Sequence, residues 1–138
     1  MSESVLATEN SPKGTAKALT VALWVGQLLV AGILGLAAFG KFFMYTPDGS
    51  MALAEALGVG RGVITAIGLA ELAAAVLILI PRRHTLGALL AALTMAGALF
   101  SHATKIGWSG TAAAEMWPLA LVVLAAAVSV IIGRRARG

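Results

Sequence analysis

Glu71 is the residue whose type and place most demand a chemical explanation. It sits at the centre of Gly62–Ile80 (GVITAIGLAELAAAVLILI), an apolar run long enough to cross a bilayer. A carboxylate at that depth costs roughly 2.5–3.5 kcal/mol on insertion scales, so it must face protein or water rather than lipid. Two further titratable side chains lie near the ends of similar runs: Lys41 in Ala18–Phe43 and His102 in Leu86–Thr104. An acid, an ammonium and an imidazole that converge can fix helix register as a buried ion pair. They can also move a proton, or hold the polar end of a small molecule. One histidine and one buried acid do not have the spacing of a metal site, so no metal is expected. The chain carries no phosphate loop, no nucleophile elbow and no haem pair of histidines within the apolar runs. No catalytic residue can therefore be assigned.

Composition says what must position these groups. The chain has 138 residues, of which 59% are hydrophobic and 12% charged, and its mean hydropathy is +0.94. A soluble domain is nearer 45–50% apolar and about 25% charged. The expected architecture is all-α: an integral membrane four-helix bundle with a short interfacial helix between the first two spans. The net charge of +4 does not point to nucleic acid, because the basic residues sit at the ends of the apolar runs. There they act as topology signals and as contacts for anionic lipid head groups. Cysteine is absent, which excludes disulfides and thiol chemistry.

In chain order, residues 1–17 read as a short disordered tail and 18–133 as the membrane domain. The spans fall at about 18–43, 62–80, 86–104 and 116–132, and 134–138 form a basic tail. Gln27 is a polar group inside the first span, read as an interhelical hydrogen-bonding residue. Ala31, Gly35 and Ala38 offer a small-residue face for a close neighbour. In the connection Met44–Arg61, Thr46-Pro47-Asp48-Gly49 signals a turn, Ser50 a helix cap and Gly58 a helix end. Ile64, Ile67, Gly68, Glu71, Ala74, Ala75 and Ile78 share one face of the second span, the side expected to face the other helices. Pro81–Thr85 is so short that its flanking helices must be antiparallel neighbours. The third span carries the ladder Gly87, Ala91, Met95, Ala98, His102. Glu115 and Lys105 are expected to cap or rim the mouth of the assembly.

Charge counting sets the orientation. Lys13, Lys17, Arg82, Arg83, Arg134, Arg135 and Arg137 fall on one side; Lys41, Arg61 and Lys105 fall on the other. Both termini are therefore expected to be cytoplasmic, with Tyr45, Trp108 and Trp117 at the outer interface and Trp24 towards the inner one. Lys41 and His102 then lie in the outer half. Glu71 lies ~13 Å below the outer end of its helix. A direct Lys41–Glu71 pair would need tilt or a deeper lysine; a water or a ligand is the alternative bridge.

Several of these segments together resemble the DoxX-like family of small four-helix membrane proteins. The residues are Phe39-Gly40-Lys41-Phe42, Leu57-Gly58-Val59, Ile67-Gly68-Leu69-Ala70-Glu71-Leu72 and Ala98-Leu99-Phe100-Ser101-His102, in that order. The likeness covers about residues 20–132. It implies a compact bundle in the bacterial inner membrane, with Lys41, Glu71 and His102 as the emphasised polar set. Some relatives are associated with thiosulfate–quinone oxidoreductases or other redox assemblies. Without cysteine, redox chemistry in this chain would need a quinone or a partner subunit.

Three functional expectations follow. The first is an accessory subunit of a membrane assembly, partnered by lipid and by other membrane subunits or copies of itself, without cofactor or catalytic activity. The second is a binder or oxidoreductase component for a small lipophilic molecule such as a quinone, held at Lys41, Glu71 and His102. The third is a small proton-coupled transporter. Small multidrug transporters, however, carry their acid in the first helix rather than the second.

Overall fold

The computed structural model describes residues 12–47, 49–110 and 116–136. Sequence readings that fall on residues 1–11, Asp48, Glu115 and Arg137 lie outside the described residues. The elements are α1 (Pro12–Phe43), α2 (Ser50–Leu57), α3 (Arg61–Leu79), α4 (His84–Ser101) and α5 (Trp117–Ala136). One π-helical turn, His102–Ile106, prolongs α4. No strand occurs among the described residues. Four segments have the length and composition to cross a membrane: Gly14–Phe43, Arg61–Leu79, His84–Ile106 and Trp117–Arg135.

Helix α1 starts six residues earlier than the apolar pattern indicates. Nothing in Gly14-Thr15-Ala16-Lys17 stops a helix, and Pro12 suits a first helical position because its missing N–H would have no helical partner anyway. The short helix α2 ends at Gly58, whose φ of 70° is left-handed and whose amide bonds back to the last turn. Gly49, not Ser50, is its cap residue; Ser50 is its first residue and turns its hydroxyl back towards the Met44 and Gly40 carbonyls. Ala54 is buried while Glu55 faces out, as their helical spacing requires.

The four long helices pack in a ring, α1 on α3, α3 on α4, α4 on α5 and α5 on α1, with little contact across the α1–α4 diagonal. Helix α2 lies against the start of α3 and against the π-helical turn. The core is aliphatic and small-residue rich, built on Val30, Leu34, Ile78, Ala91 and Val123. On α3 the buried residues are Ile64, Gly68, Glu71, Ala74, Ala75 and Ile78, the face that helical spacing selects; Ile67 is half-buried at its margin. The exterior is apolar too: Leu36, Leu93 and Ile132 are largely exposed. That surface would associate in water and is ordinary against hydrocarbon.

Close helix approaches fall at particular glycines. A Cβ on Gly87 would overlap the backbone nitrogen of Ile78, so α3 and α4 touch backbone to backbone beside their short connection. On the small-residue face of α1, Ala38 is buried and Ala31 packs against the core, while Gly35 has open space around it. The α1–α3 approach occurs instead at Gly68, where an added Cβ would lie 2.9 Å from the Phe42 ring and 3.3 Å from the Lys41 Cβ.

Candidate functional site

Gly68 is one helical turn from Glu71, and its missing side chain is what lets the end of α1 lie on α3. The consequence is a direct Lys41–Glu71 ion pair, without a bridging group. Lys41 Nζ donates to Glu71 Oε1 at 3.1 Å and lies 3.0 Å from Oε2. The second contact is electrostatic only: Oε2 is buried and receives no hydrogen bond. Glu71 is 4% exposed and Lys41 is largely covered. The carboxylate has thus lost most of its water, kept one charge partner and retained an unused acceptor. Buried oxygens normally have a donor, so this one is a site of unspent hydrogen-bonding capacity.

A Gly68→Leu substitution follows directly from this geometry. Its side chain would push Phe42 and the Lys41 backbone away and separate the ammonium from Glu71. Overpacking of this kind costs about 1–3 kcal/mol. The expected loss of stability, read by detergent-micelle unfolding, should be larger than that of Gly35→Leu, where the space is open.

The pair lines a cavity of about 960 Å³ between the α2 ends of the long helices. Lys41 and Gly40 contribute from α1, Ser50 and Leu53 from α2, and Ala70 and Glu71 from α3. Thr94, Ala98, Ser101 and His102 line it from the fourth helix and its π turn, and Leu119 lines it from α5. The wall runs out to Leu36 and Leu93, whose side chains face the apolar exterior, so the cavity communicates with the lipid-facing surface. Its volume lies at the upper end of the range of small-molecule sites, and a mostly apolar lining with a few polar groups is their usual composition.

His102 lines this cavity from the end of α4, where the helix passes into the π turn. The π turn is closed by the Gly107 amide on the His102 carbonyl at 2.9 Å. The His102 Nδ1 lies 2.8 Å from the Gly107 carbonyl. A carbonyl only accepts, so Nδ1 carries the proton, and in the neutral ring Nε2 is the acceptor. The ring stacks on Trp108, with centroids 5.7 Å apart. His102 is 4% exposed and makes no hydrogen bond to Lys41 or Glu71. The three sequence candidates therefore share one cavity, but only two of them touch. Single-turn π segments of this sort are frequent at functional sites.

One contact ties helix α2 to this end, and a second joins the segments on either side of it. Lys105 donates to the Leu57 carbonyl at 3.4 Å, at the negative end of α2. The Arg61 guanidinium lies 4.9 Å above the Tyr45 ring. Trp108 and Trp117 meet edge to face at the same end, and the Trp117 indole donates to the Trp108 carbonyl.

A second polar cluster closes the opposite end. Gln27 is fourteen residues before Lys41 on α1, which is ~21 Å of helix rise. It is fully buried and donates from Nε2 to the Ile78 carbonyl at 2.9 Å. Its Oε1 accepts from the Arg134 guanidinium at 3.0 Å. His84 Nδ1 lies 2.7 Å from the same Ile78 carbonyl and 2.9 Å from Gln27 Nε2. The carbonyl has two lone pairs and takes both donors, so the Gln27–His84 approach is a contact between donors rather than a bond. Trp24 packs edge-on to His84 and beneath Arg134. Gln27 is an interhelical hydrogen-bonding residue as its place in the span indicates. Arg134 and His84 were legible only as a basic tail and a loop, because charge counting ignores which basic residues fold back. No group of acids and histidines among the described residues could hold a metal ion.

One cluster thus bolts the helices together, and the other borders open space. Against known proteins, no curated protein and no solved structure matches the chain. The model of the DoxX-like family matches residues 25–130, a stretch that contains Lys41, Glu71 and His102. The chain belongs to the DoxX-like family of membrane proteins.

Proposed function

We infer that this membrane protein binds a small lipophilic molecule in the cavity bordered by Lys41, Glu71 and His102. The observation that carries the reading is a buried ion pair with an unused acceptor on the wall of a cavity of about 960 Å³. A pair that served only to fix helix register would be expected to have its remaining lone pairs satisfied and its surroundings packed. The opening towards Leu36 and Leu93 suits entry from the bilayer. The distribution of basic residues favours a topology with both termini on the cytoplasmic side of a bacterial inner membrane, which would put the cavity in the outer half. An accessory-subunit role is compatible with this reading, but by itself gives no reason for the cavity. A proton-coupled transporter is disfavoured by the lysine that occupies its only membrane acid.

The test is co-purification. Mass spectrometry of the wild-type protein in gentle detergent should find a bound amphiphile at about one per chain. Ala98→Phe, which fills the cavity from α4, should remove it while the helical circular dichroism is kept. Equal lipid content in the two proteins would reject the reading.

A further inference from the structure

The polar atoms of the cavity wall have a directional imbalance that specifies the head group. Six lining side chains carry hydrogen-bonding groups: Lys41, Ser50, Glu71, Thr94, Ser101 and His102. The hydroxyl hydrogens of Thr94 and Ser101 go to the Leu90 and Gly97 carbonyls of their own helix, at 2.7 and 2.9 Å. Ser50 directs its hydrogen to the Met44 or Gly40 carbonyl, at 3.3 and 3.5 Å. The His102 Nδ1 proton goes to Gly107, which in the neutral ring leaves Nε2 as an acceptor. Glu71 Oε2 is an acceptor with no donor. The single donor among these side chains is the Lys41 ammonium, which has hydrogens beyond the one given to Oε1.

We propose that the ligand is an amphiphile with a hydroxyl-bearing head, whose O–H donates to Glu71 Oε2 while its oxygen accepts from Lys41 Nζ. This deepens the binding reading above and rests on it. Nζ and Oε2 are 3.0 Å apart, so one oxygen atom can meet both. Glu71 lines the cavity while its Oε2 is buried, and the terminal torsion of a glutamate is broad, so a turn of the carboxylate brings Oε2 to the wall. A carbonyl head could accept from Lys41 but would leave Oε2 orphaned. An ammonium head would meet the Lys41 charge, and an anionic head would meet Glu71. A second hydroxyl on the same head would find the Nε2 acceptor of His102. The rest of the wall is aliphatic and takes a hydrocarbon chain.

The experiment compares 4-dodecylphenol with its O-methyl ether and with a dodecyl phenyl ketone. All three have the same ring and a similar tail, and only the first can donate. Binding to the wild-type protein in nanodiscs is read as the ligand-dependent rise in the circular-dichroism melting temperature, titrated to give an apparent Kd. The expected result is about tenfold tighter binding of the phenol than of either acceptor-only analogue, the scale of one hydrogen bond to a charged group. In the Lys41→Met/Glu71→Leu double variant, which removes both charges together, the three should bind alike. Equal binding of all three to the wild type, or tighter binding of the ketone, would overturn the hydroxyl assignment while the cavity reading survives. If none of the three binds, both fail. Should the double variant not fold, the wild-type order of affinities alone decides. His102→Leu, which leaves the ion pair intact, should then keep the phenol preference.

Discussion

Lys41→Met should be among the most damaging single substitutions in this protein, lowering the stability of the folded helices by about 3–5 kcal/mol. The loss comes less from the missing attraction than from what remains. Glu71 would keep its burial and lose its only charge partner among the described residues, with one oxygen already lacking a donor. Glu71→Leu should cost a similar amount for the mirrored reason, since it strands the ammonium. The double variant Lys41→Met/Glu71→Leu should recover most of that loss, because two apolar side chains of similar size need no partner. Unfolding by SDS titration in mixed micelles, followed by circular dichroism, measures all three. Two single-variant losses that simply add in the double variant would show that the residues do not interact. Recovery would also separate stability from binding, as the restored fold would lack the polar end of the cavity.

Gly87→Leu should match this effect from a different cause. A Cβ at Gly87 would overlap the Ile78 nitrogen and come within 2.7 Å of two further backbone atoms, so no side-chain rotation can relieve it. The helices must part at the place where a short connection leaves them least freedom. Overpacking against fixed backbone costs about 3 kcal/mol, at the upper end of such substitutions. The same separation would pull the Ile78 carbonyl from Gln27 and His84, which share it. Gly97→Leu on the same helix has open space around it and is the matched control. The same SDS titration should show a large loss for the first and little for the second.

The spans, their order and the buried face of α3 were legible because apolar runs and helical spacing register directly in sequence. Glu71 stood out for the same reason, as a charge where none is affordable without a partner. The direct ion pair was less legible. Straight helices of ordinary rise leave Lys41 above Glu71, and only the α1–α3 approach at Gly68 closes the gap. Of the small residues of α1, Ala31 and Ala38 do pack inward, but none of them marks the approach at Gly68. His102 belongs to the cavity yet not to the ion pair, because a π turn and the Gly107 carbonyl fix its ring. No residue type signals such a turn. The Gln27–His84–Arg134 cluster was divided among a span, a loop and a tail, three readings that share no period. A carbonyl at the end of α3, a group every residue has, joins Gln27 to His84, and the Gln27 amide oxygen takes Arg134.

The central claim is that the space beside Lys41 and Glu71 is a ligand site rather than loose packing. Photolabelling tests it most directly, with a long-chain alcohol carrying a diazirine near its hydroxyl, incorporated with the protein into nanodiscs. Saturable labelling is expected on the peptides containing Gly40–Met44, Ala66–Glu71 and Ala98–His102, abolished by Ala98→Phe and competed by unlabelled alcohol. Labelling that never saturates and falls evenly on outward residues such as Val25, Leu69 and Leu121 would contradict it.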